Sequence, residues 1–157
     1  MGMRIGVASD HAGKDLKQMV IEFLRVAGHD PVDYGVGKEN ESSVDYPDYA
    51  SLVAQDIPSG KIERGILICG TGIGMCIAAN KQAGVRAAVA TDEYSARMSR
   101  AHNDANVLCL GARVVNHHRA VDFVKVWMDT PFEGGRHQSR LNKIRELEKK
   151  TQKSIGY

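Results

Sequence analysis

Five short apolar runs, each followed by a segment with helical spacing, constrain the fold more than any other feature of this sequence. The runs predict strands at residues 4–9, 30–34, 65–68, 85–90 and 107–110. Amphipathic segments between the runs predict helices, and a charged C-terminal helix is expected over about 137–150. Strands that alternate with helices indicate one parallel sheet with helices on both faces. We therefore expect a three-layer α/β/α fold with a five-stranded, Rossmann-like parallel sheet.

Length and charge limit the kinds of partner. The chain of 157 residues is expected to form one domain, with a tail at 151–157. A net charge of +2 does not indicate nucleic acid or a membrane as the main partner, and no apolar run approaches the roughly 20 residues of a transmembrane helix. The three cysteines are an odd number in apolar or glycine-rich contexts, which indicates a reducing compartment, and we expect a cytoplasmic protein.

A glycine-rich loop, Cys69-Gly70-Thr71-Gly72-Ile73-Gly74, follows the third predicted strand. A helix that begins near Ala78 is expected after it. Such a loop can turn its backbone N–H groups toward an anion. It matches neither the GxGxxG nor the GxxxxGK[ST] nucleotide pattern. The alternative is a tight strand-to-helix turn without a ligand, and we favour the anion site.

Cys69 is the candidate reactive group of this loop. A free cysteine is usually a small buried hydrophobe. Here the following amides and a helix N-terminus would favour the thiolate, which can act as a nucleophile or as a base. Cys76 lies two helical turns further on and is expected to face inward with a structural role, and Cys109 is expected in the core.

Two polar pairs are further candidates. Asp10 and His11 follow the first strand, and they could bind a sugar hydroxyl and a phosphate, or Asp10 could simply cap the next helix. His102 and Asn103 precede the last strand, and an imidazole there is a candidate acid or base. That position lies at the amino end of the sheet, away from Cys69. Either the loop reaches across the sheet or a second subunit supplies His102.

Arg113, Arg136 and Arg140 are the candidate phosphate ligands. Arg136 and Arg140 are four residues apart and share one face of a helix. Guanidinium groups bind phosphate in a bidentate manner. The usual explanation of a run of charged residues on a helix, however, is a solvated face. On the same polar helix, a stripe of Leu141, Ile144 and Leu147 predicts packing against a partner subunit.

Six segments in order together resemble the RpiB/LacAB family of sugar-phosphate isomerases. They are SDHAG, DYP, ILICGTGIG, SRAHNDANVL, LGARVV and FEGGRHQSRL, and the likeness spans about residues 4–147. Within the family, the chain is most similar to the B-type ribose-5-phosphate isomerases. The resemblance implies an enzyme that interconverts an aldose phosphate and a ketose phosphate without metal or organic cofactor.

The resemblance also implies roles for individual residues. Cys69 matches the base that moves a proton between C1 and C2, and Thr71 matches the residue that assists at the oxygens. His102 with Asp10 matches the pair that opens the sugar ring. Substrate and phosphate contacts are implied for His11, Tyr46, Gly70, Gly72, Ile73, Gly74, Asn103, Arg113, Arg136 and Arg140. Some members carry a glutamate in the loop, whereas this chain belongs to the cysteine class.

In the family, the active sites lie between the subunits of a homodimer, which can pair into a tetramer. A shared site would explain how His102, at the far edge of the sheet, could act together with Cys69. The expected reaction is the interconversion of ribose 5-phosphate and ribulose 5-phosphate through an enediolate. An alternative is isomerisation of an allose, galactose or tetrose phosphate, or of a rare sugar. A different class, a non-catalytic phosphate- or nucleotide-binding module with a flavodoxin-like sheet, has no use for the thiol or for the His-Asn pair.

Overall fold

The computed structural model describes residues 2–154, in which five strands form one sheet. The strands are β1 (Arg4–Ser9), β2 (Asp30–Asp33), β3 (Arg64–Cys69), β4 (Ala87–Val89) and β5 (Val107–Gly111). The helices are α1 (Lys14–Val26), α2 (Tyr46–Asp56), α3 (Ile73–Ala79), α4 (Glu93–Ala101), α5 (His117–Asp129) and α6 (Arg136–Ser154). All neighbouring strands are parallel, in the order β2-β1-β3-β5-β4. The predicted three-layer fold with a five-stranded parallel sheet is confirmed.

Alternate residues of the strands divide the core into two layers. On one face, Ile66 and Ile68 of β3 pack with side chains of α1, α4 and α5. On the other face, Leu67 and Cys69 pack with side chains of α2 and α3. Both faces of the central strands are therefore buried, as expected where parallel strands carry helices on each side.

The strand order places a crevice between β1 and β3. The chain runs from β1 outward to β2 and then returns to β3 on the other side of β1. In such sheets ligands bind beyond the carboxyl ends of the strands where the order reverses. Asp10 directly follows β1 and Cys69 ends β3, and the Asp10 amide donates to the Ile68 carbonyl at 3.1 Å. These two predicted site residues therefore lie at the reversal point.

Two helices differ from the sequence prediction. α3 begins at Ile73 rather than near Ala78, because Gly72 adopts a left-handed φ of 78° and turns the chain straight into the helix. α6 runs from Arg136 to Ser154, and so includes part of the expected tail. The rest of that tail, 155–157, lies outside the described residues, and assignment of the whole chain to one domain stays a prediction. Within residues 2–154, no helix is long and apolar enough to cross a membrane.

Candidate active site

The sulfur of Cys69 lies at the carboxyl edge of the sheet. Cys69 is the last residue of β3, pairs in register with Gly111 of β5 and is 4% exposed. The Gly72 amide donates to its Sγ at 3.2 Å. This weak amide-to-sulfur hydrogen bond orients the sulfur at the mouth of the glycine loop.

The other loop residues bring polar and aromatic groups to the same edge. Thr71 is exposed, and its Oγ1 accepts the Ile73 amide at 3.2 Å. A Cβ added at Gly74 would lie 2.5 Å from Tyr46 Cζ, so the tyrosine ring packs directly on the loop backbone. The guanidinium of Arg113 lies beside Gly70, where an added Cβ would be 3.5 Å from Nη1. The structure thus brings Tyr46 and Arg113 together with the loop.

Asp10 and His11 complete this edge. Asp10 is buried, and its Oδ1 accepts the Ala12 amide at 2.9 Å, so the capping role holds for one carboxylate oxygen. His11 accepts the Val44 amide on Nδ1 at 3.1 Å. Because Nδ1 is an acceptor here, the proton of the neutral imidazole lies on Nε2, which can donate to an anion.

A buried lysine holds the loop that reaches His11. Lys17 of α1 is fully buried, and its Nζ donates to Asp33 Oδ1 at 2.7 Å and to the Val36 carbonyl at 2.8 Å. The ammonium therefore ties α1 to the end of β2 and to the following loop. That loop continues to Val44, the residue that fixes the His11 tautomer. Lys17 thus supports the carboxyl edge from within the core.

The thiols of Cys76 and Cys109 lie next to each other behind the glycine loop. The neighbouring Cys109 thiol lowers the pKa of the Cys76 thiol to about 7, helped by Val89 and Asn80 and opposed by burial. Burial, followed by the nearby thiol of Cys76, raises the pKa of Cys109 well above its usual value. Cys109 lies in the core as expected, whereas Cys76 is only half-buried.

His102 and Asn103 lie at the opposite, amino edge of the sheet. Arg86, which precedes β4, donates through Nε to the Asn103 carbonyl at 3.2 Å and through Nη2 to Asp104 Oδ2 at 3.3 Å. Arg100 donates to the other Asp104 oxygen at 2.8 Å. Asp104 itself adopts a left-handed φ of 46°. Two arginines therefore hold the turn that carries the His-Asn pair.

The start of α6 lies beside this pair. The His137 ring stacks on His102 with centroids 4.2 Å apart and planes 12° apart. Arg136 and Arg140 are exposed and lie on the same helix, one turn apart. The two histidines and Glu133 have ligand atoms within 4.8 Å of one another. A metal lies in the plane of an imidazole ligand, and parallel stacked rings offer no shared in-plane point, so these rotamers do not suit a metal ion.

The predicted site residues thus form two groups at opposite ends of the sheet. β5 has five residues between the two edges, which at ~3.3 Å per residue separates them by about 16 Å. His102, Asn103, Arg136 and Arg140 lie at one end, and the Cys69 loop, Asp10, His11, Tyr46 and Arg113 lie at the other. One chain does not bring Arg113 to the other two arginines, so no single phosphate can bind all three within it.

Sequence reasoning did not single out Glu133 and His137. Glu133 Oε2 lies 3.4 Å from His137 Nε2 and 3.9 Å from His102 Nε2. Their spacing of four residues across Gly134-Gly135 was a weak signal, because two glycines disfavour a helix there. The burial of His137 and its contact with α4 arise only from tertiary packing.

Comparison with known proteins places these observations in a family. The sequence model described as Ribose/Galactose Isomerase matches residues 5–144. The chain is 44% identical to ribose-5-phosphate isomerase B of Escherichia coli, over 94% of this chain and 97% of the relative. It is 43% identical to the D-erythrulose-4-phosphate isomerase of Pectobacterium atrosepticum, over 90% of this chain and 93% of the relative.

A solved structure gives the same result. The crystal structure of ribose-5-phosphate isomerase B from Mycoplasma genitalium, with bound ribulose-5-phosphate, superposes with a TM-score of 0.89 at 43% identity. The match covers 95% of this chain and 98% of that one. The sequence match spans most of the chain, and the fold agrees over nearly all of it. The chain therefore belongs to the ribose/galactose isomerase family and is an enzyme of the sugar-isomerase type.

Proposed function

We propose that this protein interconverts ribose 5-phosphate and ribulose 5-phosphate, in sites shared between two copies of the chain. The observation that carries the proposal is the Cys69 sulfur at the β1/β3 reversal point, with the Gly72 amide 3.2 Å away. Membership of the isomerase family supports it. A relative named for ribose 5-phosphate and a neighbour with ribulose 5-phosphate bound support this choice of substrate.

The central step is proton transfer between adjacent carbons. In the open-chain aldose, the Cys69 thiolate removes the proton from C2, and the electron pair moves toward C1 and its carbonyl oxygen. The resulting enediolate takes a proton back at C1, while Thr71 assists proton movement between O2 and O1. A positioned base contributes roughly 10²–10⁴-fold to the rate. The amides of Gly70 and Gly74 would stabilise the enediolate, and one such donor is typically worth about 10²–10³-fold. The amides of Gly72 and Ile73 donate to Cys69 Sγ and Thr71 Oγ1 in this structure, and they would have to turn toward the substrate to join them.

Ring opening must come first, because ribose 5-phosphate is mostly cyclic. We assign this step to His102 of one subunit with Asp10 of the other. A proton leaves the O1 hydroxyl, the bond between C1 and the ring oxygen breaks, and the ring oxygen takes a proton. Asn103 would hold the sugar hydroxyls, and Tyr46 would line the pocket.

The phosphate is assigned to the basic groups of both edges. His11 can donate from Nε2, as its Nδ1 is already an acceptor. Arg113 lies at the same edge, and Arg136 and Arg140 would come from the second subunit. Binding of this remote group orients the sugar and provides energy that can be used at the reacting carbon.

The exposed surface of α6 supports assembly with a second copy. Of its 19 residues, only His137 and Leu141 are buried. Ile144 is 50% exposed and Leu147 is 63% exposed, and both line an apolar groove of about 740 Å³ against the β4 edge. A 19-residue helix is about 28 Å long, and so little burial does not hold such a helix in place. We propose that the partner subunit covers this stripe, in a homodimer that can pair into a tetramer.

Other substrates of the same chemistry remain as alternatives. An erythrulose-phosphate isomerase is as similar to this chain as a ribose-phosphate isomerase is. Sequence identity therefore does not separate a tetrose phosphate from a pentose phosphate as the substrate, and allose or galactose phosphates and rare sugars stay as candidates.

The free cysteines fit a reducing compartment, and we place the enzyme in the cytoplasm.

The substrate is tested with a panel of aldose phosphates of four, five and six carbons, in which ketose formation is measured. We expect the highest kcat/KM for ribose 5-phosphate. A higher value for a tetrose or hexose phosphate would replace the proposed substrate. Absence of ketose formation from every sugar of the panel would refute the proposed function.

The base is tested by Cys69→Ala and Cys69→Ser, with Cys76→Ser as the matched thiol control. Isomerisation should be almost abolished in both Cys69 variants, while the circular dichroism spectrum stays that of the wild type. Cys76→Ser should retain most of the activity. Turnover near the wild-type rate in either Cys69 variant would refute its assignment as the base.

A further inference from the structure

His137 has no role in the reaction proposed above, yet it is the more deeply placed of two stacked histidines. Its side chain is 5% exposed, whereas that of His102 is 36% exposed. The centroids are 4.2 Å apart and the planes are nearly parallel. His102 therefore has one ring face against His137 and retains solvent access for a ligand.

Glu133 lies beside the more buried ring, that of His137. Its Oε2 lies 3.4 Å from His137 Nε2, and its backbone amide donates to the Ala101 carbonyl, the last residue of α4, at 3.0 Å. The backbone then turns through Gly134 and Gly135, with left-handed φ values of 67° and 56°, and α6 begins. This turn brings the carboxylate and His137 together across the start of the helix. The turn therefore places the His137 ring beside His102, the residue that follows α4.

The surroundings of His137 disfavour its protonation. Burial lowers its pKa most, and the positive charges of His102, Arg136 and Arg140 lower it further, whereas Glu133 opposes them. These four groups come from the residue after α4 (His102), from the turn before α6 (Glu133) and from α6 itself (Arg136 and Arg140). A neutral ring can lie against His102 without charge repulsion when His102 carries a proton.

We propose that His137 is a positioning residue that, with Glu133, forms a platform against one face of the His102 imidazole and holds that ring in one orientation for sugar-ring opening. This inference rests on the proposed function. The ring nitrogen of His102 must reach the O1 hydroxyl or the ring oxygen at hydrogen-bond distance. Because a displacement of about 1 Å can cost roughly 10²-fold in rate, loss of the platform would slow ring opening and leave the later proton transfer intact.

The activity test compares a cyclic with an open-chain aldose. Ribose 5-phosphate closes into a ring, whereas erythrose 4-phosphate cannot form a furanose because its O4 carries the phosphate. We expect His137→Ala to lower kcat on ribose 5-phosphate by about 10–100-fold, with kcat on erythrose 4-phosphate within about twofold. His137→Phe, which keeps a flat ring, should restore most of the lost activity. The matched control is His118→Ala, at an exposed histidine of α5.

A second readout does not depend on activity. In two-dimensional ¹H–¹³C NMR spectra of the histidine rings, His102 resonances should shift and broaden in His137→Ala and recover in His137→Phe. Equal loss on both sugars, failure of folded His137→Phe to recover, or unchanged His102 resonances in His137→Ala would each overturn the proposal. A wild type inactive on both sugars would refute the proposed function, and the NMR comparison would still decide whether His137 orders His102.

Discussion

Mixing two inactive variants gives the sharpest test of the shared site. The Cys69→Ala variant keeps His102, and the His102→Asn variant keeps Cys69. The structure places these residues at opposite edges of the sheet, separated by the length of β5, about 16 Å. A site that needs both residues must therefore draw them from two chains, or the two residues do not act on one substrate molecule.

The expected activity follows from symmetry. In a hybrid dimer of the two variants, one site combines the intact Cys69 of one chain with the intact His102 of the other, while the second site carries both substitutions. A purified hybrid should therefore show about half of the wild-type kcat on ribose 5-phosphate. A random reassociated 1:1 mixture contains hybrids as half of its dimers, so it should recover about a quarter.

Differently tagged chains, co-expressed and purified by two affinity steps, provide the hybrid for a ketose-formation assay. The matched control pairs a wild-type chain with the double variant Cys69→Ala/His102→Asn. Shared sites leave that hybrid inactive, whereas sites within one chain leave it half active. Activity in the control hybrid together with none in the test hybrid would refute the shared site.

Three further predictions concern single residues. Alkylation of Cys76 by iodoacetamide should rise to half its maximal rate at a pH of about 7, because the Cys109 thiol stabilises its thiolate, and mass spectrometry of peptides from reactions at pH 5 to 9 measures this. Gly74→Ala should raise KM and lower kcat, because the new Cβ would lie 2.5 Å from Tyr46 Cζ and displace the ring; an unchanged KM would contradict the packing. Trp127→Ala should lower the free energy of unfolding by about 3–5 kcal/mol in urea titrations, because Trp127 is fully buried in the core.

The parallel sheet could be predicted from the sequence because short apolar runs alternate with helical periods. The strand order could not be predicted, because the placement of β5 between β3 and β4 depends on the face of the sheet on which each crossover helix packs. The predicted start of α3 near Ala78 is also wrong, because the left-handed conformation of Gly72, which sets the true start, depends on the tertiary path of the loop. Local patterns therefore specify the elements better than their junctions.

The same distinction applies to the candidate site. Asp10 and Cys69 could be placed near each other because both follow strands at their carboxyl ends. The objection that His102 lies at the wrong edge also followed from chain order, and the structure agrees with it. His137 could not be found in this way, because its burial depends on how the start of α6 comes to lie against His102, far away in the sequence.

α6 links assembly to catalysis. The N-terminal end of the helix carries His137, and its middle carries the exposed Ile144 and Leu147. In the proposed dimer, the subunit that covers this stripe also steadies the helix that orders His102. A higher protomer concentration then favours the dimer by mass action, and with it the active conformation of His102. Dilution below the dissociation constant would separate the two halves of the site and also loosen His102, so specific activity would fall as subunits dissociate.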